Sequence, residues 1–471
     1  MKEIIGRTFE IEKLNQIVKS DKSEFVALYG RRRVGKTFLV REYFKNNFAF
    51  YLTGIKDATL KEQLYNFSNS FENSFQKELR ETPINWQQAF NDLSKTLGKS
   101  KAKKKVIFID ELPWLATPKS NFLNALNYFW NHWASNRNDI ILIVCGSAAS
   151  WMINKIVKNT GGLHNRITEK IKINPFTLKE TELFIKHKNI VLNRHQIIEL
   201  QMIYGGIPYY LESLKNGKSL AQNIDETCFS KSGLLYDEFE NLYASLFNNH
   251  EIHVKVIEAL SKKNSGLNRD ELLKLTKIND GGSFTKILEE LEESGFIRKY
   301  TYFGKSKRDS LFQLIDFYSL FYFNFLKNNQ QENYWTTNID NPKHRAWSGY
   351  SFELLCLMHE NQIKKALGIG GVQANVSSWK SKNSDQNVQI DLLFDRRDQV
   401  ITICEMKYSI NTFTIDKNYA QNLRNKLAVF RQETQTRSAV HLALVTTYGA
   451  LENENYFDLV QNNISMESLF V

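Results

Sequence analysis

At 471 residues the chain is too long for one compact core, so roughly two to four domains are expected. A 42% hydrophobic and 13% aromatic composition excludes a disordered or fibrous protein; with no signal-type stretch and no apolar run of membrane length, a soluble, cytoplasmic chain without a membrane partner is expected. The net charge of +11 points to a polyanion, usually nucleic acid, and four cysteines (Cys145, Cys228, Cys356, Cys404) without CxxC spacing exclude a disulfide framework or a zinc ribbon.

Apolar residues at helical spacing over Glu10–Val18 are followed by a short apolar run, Phe25 to Tyr29, long enough for one buried strand. Gly30, Arg31, Arg32, Arg33, Val34, Gly35, Lys36 and Thr37 then fit G-x-x-x-x-G-K-[ST], and Phe38 to Phe44 reads as a helix. This strand–loop–helix order is the setting in which backbone N–H groups surround phosphate oxygens. Lys36 then reaches the β- and γ-phosphates, and the Thr37 hydroxyl holds Mg2+. Ala49 to Thr53 is a second strand and Asn85 to Leu97 a helix, while the basic tract Lys99 to Lys105 reads as a solvated loop without function.

Val106 to Ile109 is a strand buried on both faces, ending in Asp110 and Glu111. Asp110 is placed to hold Mg2+ and Glu111 to orient or deprotonate the attacking water. A third buried strand, Asp139 to Val144, ends at Cys145-Gly146-Ser147. Ser147 is a sensor candidate for the γ-phosphate or the lytic water, or else a helix cap. Arg166 follows the Gly-rich turn starting at Gly162; it can spread charge over a transferring phosphoryl group, in cis or in trans, or close an ion pair.

GRRRVGKT, IFIDELPWL, LIVCGSA and the later YGGIPYYL together resemble the archaeal-type P-loop ATPases, close to the AAA+ and STAND classes. The resemblance covers about residues 1 to 250 and implies a parallel sheet flanked by helices, then a small helical lid. It also implies ATP/ADP as ligand and a GxP turn near the nucleotide, here Gly206 to Pro208. No second sensor arginine stands out.

Beyond the lid, helical periods over Phe239–Phe247 and Glu251–Leu260 lead to a capped helix from Asn268 and a Ser-capped helix over Asp280–Gly295. A hairpin with a basic tip at Gly304–Asp309 follows, so the region reads as a winged helix-turn-helix. DNA contact through it is opposed by Glu289, Glu290, Glu292 and Glu293 on the second helix. His250 and His253 do not match HExxH and read as capping or packing residues.

Trp335 to Trp347 reads as a polar linker, and Ser351 to His359 as a helix. Val388 to Phe394 and Val400 to Lys407 are two strands around an Arg396-Arg397-Asp398 turn; Ile415 to Arg431 is a helix and Val440 to Val445 a last strand. Asp391 and Glu405 can converge on a divalent cation, and Lys407, two residues on, shares the face of Glu405. Helix, paired strands, D…ExK, helix and strand resemble the PD-(D/E)xK nuclease-like fold over residues 345 to 460. Glu353 matches that fold's accessory acid, and Tyr419 and Gln421 are further DNA-contact candidates.

The expected architecture is α/β: a P-loop ATPase core over 1–177, a helical lid over 178–248, a winged helix-turn-helix with linker helix over 249–334, and a nuclease-like domain over 345–471. The expected function is an ATPase, using ATP and Mg2+ and partnered by DNA, that controls a Mg2+-dependent endonuclease. The alternative is a nucleotide-gated switch whose C-terminal domain binds nucleic acid or protein without cutting. Oligomeric state is left open.

Overall fold

The computed structural model describes residues 3–79, 81–147, 149–157, 166–247, 249–306, 309–329, 331–339, 341–382 and 388–471. The chain folds as two compact units: Met1–Pro175 with Ala244–Asn248 and Leu288–Ser294, and Phe176–Tyr243 with Asn249–Ile287 and Gly295–Val471. Among the described residues no helix is long and apolar enough to cross a membrane.

In the first unit β1 (Glu24–Tyr29), β2 (Phe50–Thr53), β3 (Lys105–Asp110), β4 (Ile140–Gly146) and β5 (Glu169–Lys172) form one sheet in the order β2-β3-β4-β1-β5. Every pairing is parallel. The continuous apolar runs of β1, β3 and β4 follow from this, because a parallel sheet covered by helices leaves neither face for water. One side is closed by helices Leu60–Phe75 and Trp86–Gly98, whose Phe67, Phe71, Trp86 and Phe90 are buried against the strands. Thr59 and Asn85 fix where these helices start, each accepting a backbone N–H three residues on. Gly30 closes β1 at φ 148°, and a Cβ there would lie 2.2 Å from the Ile173 carbonyl oxygen, so no other residue fits.

The basic tract is not wholly solvated. Lys105 opens β3 buried, its Nζ 2.5 Å from Asp139 Oδ2, which also takes Arg137 Nη2 at 2.7 Å. The Arg137 hydrogen bonds, more than the Lys105 ion pair, hold the Asp139 carboxyl down at about 2 against its burial.

In the second unit, helices Leu178–His187 and Arg194–Tyr204 lead to the turn at Gly206 and to Pro208, first residue of helix Pro208–Leu211. Helix His250–Ser261, β6 (Leu267–Asn268), helix Arg269–Thr276, helix Gly282–Glu293, whose residues from Leu288 on count with the first unit, β7 (Ile297–Tyr300) and β8 (Leu311–Leu314) follow. The three strands pair antiparallel in the order β6-β8-β7. Ser283 lies inside the first turn of its helix rather than capping it, since Thr285 N bonds the Gly281 carbonyl. Lys307 and Arg308, at the basic hairpin tip, lie outside the described residues.

The expected polar linker is largely helical. Helix Tyr334–Thr337 docks through Trp335 N and Thr336 N on the buried Asp225 carboxylate at 2.7 and 3.0 Å. Helix Pro342–Met358 starts inside that stretch, at its proline; at the first helical position proline loses no hydrogen bond.

The C-terminal sheet runs β13-β12-β11-β10-β9, from β9 (Ala374–Lys380), β10 (Gln389–Arg396), β11 (Val400–Lys407), β12 (Ala439–Thr446) and β13 (Asn462–Ser465). β9, β10 and β11 are an antiparallel meander, and helix Lys417–Thr434 crosses to bring β12 parallel to β11. Trp379, Ile390, Ile403, Leu423 and Phe430 are buried between this helix and the sheet.

Candidate functional sites

The first site lies at the C-terminal edge of β1, β3 and β4. Lys36 is 6% exposed, and its Nζ donates to the carbonyls of Gly30 (2.9 Å) and Arg31 (2.8 Å). Burial lowers its pKa, opposed by Asp110 and Glu111 among its neighbours. Helix Lys36–Tyr43 begins at Gly35 (φ 88°) with no side-chain cap, so its first N–H groups are left to the loop. Val34 is buried, Arg31 is buried and Arg32 half-buried, Arg33 takes φ 70°, and Phe38 is exposed on the first helical turn.

Thr37 Oγ1 donates to Asp110 Oδ2 at 2.8 Å, so hydroxyl and carboxylate meet where a hard cation needs oxygen ligands. Glu111 N donates to the other Asp110 oxygen at 2.9 Å, and Glu111 itself adopts φ 46°. Its carboxylate accepts from Ser147 Oγ at 2.9 Å and Ser147 N at 3.2 Å. The Ser147 hydroxyl therefore orients Glu111 here, a task that sequence reading did not give it.

The second site lies on the C-terminal sheet. Leu392 pairs with Cys404, so Asp391 and Glu405 lie one residue beyond that pair on neighbouring strands, and Asp391 feels the field of Glu405. Glu405 is buried; Oε1 accepts from Tyr419 Oη at 2.5 Å and lies 3.1 Å from Lys407 Nζ, and Oε2 accepts from Lys426 Nζ at 2.6 Å. Burial alone would raise this carboxyl, but Lys426 and then Lys407 hold it down at about 2. Asp391 Oδ1 accepts from Gln389 Nε2 at 2.5 Å; burial, helped by Glu405, raises its pKa. Glu353, on helix Pro342–Met358, is pushed up to about 8 by burial and then by Asp391. Three carboxylates thus share one field, and two of them resist ionising, the condition a divalent cation relieves. Against that, no group of three or more His, Cys, Asp or Glu side chains among the described residues is drawn together tightly enough to hold a metal.

A family model described as an ATPase domain predominantly from Archaea matches residues 5–214. The chain carries an archaeal-type ATPase domain. A second family model, described as the B-block binding subunit of TFIIIC, matches residues 256–320. An uncharacterized protein of Methanocaldococcus jannaschii is 26% identical over 324 residues, 68% of either chain. Among solved structures, a Walker-type ATPase of Pyrococcus abyssi is similar at 18% identity and TM-score 0.49, over 68% of this chain and 96% of its own. The ORC2 protein of Aeropyrum pernix is similar at 16% identity and TM-score 0.42, over 66% and 90%.

Within the ATPase domain Arg166 is exposed and precedes β5. Lys172 is level with Tyr29 and Thr168 N bonds the Phe25 carbonyl, so Arg166 sits by the start of β1, roughly 20 Å from the loop that follows its end at the usual strand rise. That span is longer than an arginine side chain, which speaks against a cis role. Gly162 to Asn165, the expected turn before it, lies outside the described residues. Pro208 lies in the second unit.

Arg7 was missed as a site residue. Nearly buried, it donates from Nη2 to the Val34 carbonyl (2.9 Å) and from Nη1 to the Asn174 carbonyl (2.7 Å), holding the phosphate loop from below. The only signal was a Gly-Arg pair ahead of the first helix. Lys426 was also missed, because a lysine on an amphipathic helix ordinarily faces water.

Proposed function

We propose that the ATPase domain binds ATP with Mg2+ and hydrolyses it, and that its state controls a Mg2+-dependent, DNA-directed endonuclease site in the C-terminal region. The observation that carries the first half is the hydrogen-bonded series Thr37–Asp110–Glu111–Ser147 beside Lys36. In this reading Lys36 leaves its two carbonyls for the β- and γ-phosphates, while the uncapped N–H groups of the helix receive phosphate oxygens. Thr37 and Asp110 would hold Mg2+, which supplies charge neutralisation for the phosphoryl oxygens. Glu111, oriented by Ser147, takes a proton from the attacking water. Arg166 acts, if at all, on the site of a neighbouring chain.

For the second half, the support is the gathering of Asp391, Glu405 and Lys407, with Glu353 in their field. The meander–helix–strand order with its leading helix supports the PD-(D/E)xK reading. Helices Arg269–Thr276 and Gly282–Glu293 with the β7–β8 hairpin support a winged helix, and DNA is the partner that a family named for B-block binding brings to this segment.

One observation favours the alternative, a nucleotide-gated switch without cutting: Lys426 already neutralises Glu405 at 2.6 Å. Supercoiled plasmid incubated with Mg2+ or Mn2+ and ATP separates the two. The nuclease reading expects nicking by the wild-type chain, none by Glu405→Ala, and a rate that Lys36→Ala changes. Equal absence of nicking in wild type and Glu405→Ala supports the switch.

A further inference from the structure

We propose that Arg298, on β7 of the middle segment, is a phosphate-gripping residue of the C-terminal acidic site, which is therefore assembled from two parts of the chain. The inference rests on reading that site as one that handles phosphodiesters.

The β7–β8 hairpin is fastened beside that site. Tyr302 forms a parallel bridge with Ser378 of β9, and Phe303 N donates to the Ser378 carbonyl at 2.7 Å. Ser378 Oγ in turn donates to the main-chain oxygen of Asp391 at 2.8 Å. The Phe303 ring lies 5.8 Å from that of Phe430, in the core of the C-terminal sheet. A hairpin held in this way carries its residues to the acidic face.

Arg298 is locked from two sides. Its Nε donates to Gln313 Oε1 at 2.6 Å, and its guanidinium covers the Tyr300 ring at 4.6 Å. Gln313 Nε2 donates to the Asn264 carbonyl at 2.7 Å and to Tyr350 Oη at 3.3 Å, and Tyr350 is one helical turn before Glu353. The guanidinium is half-buried, and among the described residues no carboxylate forms an ion pair with it. Burial lowers its pKa, and the carboxylates whose field opposes this are Glu360 and Asp391.

A held guanidinium lacking an anionic partner is an unfinished interaction, and its planar fork matches two phosphate oxygens. The lysines of the site do not fill that role. Lys407 and Lys426 are both engaged with Glu405, at 3.1 and 2.6 Å. Among the described residues Arg298 is a cation in the field of Asp391 that no ion pair occupies, and so one left for the substrate. The expected ligand is the phosphodiester of a nucleic acid strand.

Binding of a short fluorescein-labelled DNA duplex to the full chain, followed by anisotropy with Ca2+ replacing Mg2+ over a range of salt, tests this without needing cleavage. Arg298→Ala should weaken binding about tenfold and reduce the salt slope by about one. Arg298→Lys, which keeps the charge and guards against a folding defect, should recover part of the loss. The exposed neighbour Lys299→Ala should change little. The losses from Arg298→Ala and Asp391→Asn should be less than additive if both act on one phosphate. Equal affinity of Arg298→Ala and wild type, or no measurable affinity of the wild type, overturns the inference. Arg298-dependent binding without any cutting in Mg2+ or Mn2+ would leave Arg298 in place and remove only the nuclease activity.

Discussion

Glu111 is the residue on which hydrolysis depends in this account, and Ser147 is the residue that aims it. Glu111→Gln keeps the hydrogen bond from Ser147 but cannot accept a proton. It should retain ATP binding while kcat falls by roughly 10²- to 10⁴-fold, as read by phosphate release beside nucleotide titration. Ser147→Ala should lower kcat with little change in KM; a raised KM at unchanged kcat would mean that the hydroxyl serves binding instead. At the other site Glu353, with its carboxyl held up at about 8, makes a pH statement. A folded-state pKa above the unfolded one contributes stability that is complete below about pH 4.5 and is lost as pH rises through about 8. Glu353→Gln should therefore match the wild-type melting temperature near pH 4 and exceed it increasingly towards pH 9.

The elements that sequence reading recovered are those whose pattern is dictated locally. A four-residue apolar run ending in two acids has little choice but to be a buried strand, and β3 is one; the helix that begins after Asn85 is capped by it. What was not legible depends on distant partners. β9 reads Ala-Asn-Val-Ser-Ser-Trp-Lys, an edge strand with one wholly apolar contact at Trp379, and only its pairing with β10 makes it a strand. The linker around Trp335 looked polar because its anchor, Asp225, lies far away in sequence. Of the candidate sites, the phosphate loop and the D…ExK face were visible as spacing; Arg7, Lys426 and Arg298 act through tertiary contacts that no spacing records. Gly206 illustrates the same division, since the turn is visible but its constraint is not. At φ 66°, a Cβ would lie 2.3 Å from the Phe176 carbonyl oxygen. Gly206→Ala should cost about 1–3 kcal/mol of stability in urea unfolding, and a change within error would show that the turn relaxes.

For the whole molecule, the parallel register carries the strongest constraint, because it sets Arg166 at the opposite end of the sheet from its own phosphate loop. If Arg166 serves hydrolysis, it serves a second copy. Chains carrying Lys36→Ala and chains carrying Arg166→Ala should each be inactive alone and regain hydrolysis when mixed. Unimpaired hydrolysis by Arg166→Ala would remove the arginine from the mechanism and leave a chain that works singly.

On the reading proposed above, ATP is bound and hydrolysed at the edge of β1, β3 and β4. Its most direct test is a side-by-side measurement of ATP affinity and Mg2+-dependent phosphate release for wild type, Lys36→Ala and Glu111→Gln. Binding and release are expected of the wild type, neither of Lys36→Ala, and binding without release of Glu111→Gln. ATP affinity unchanged by Lys36→Ala, or full release by Glu111→Gln, would contradict it.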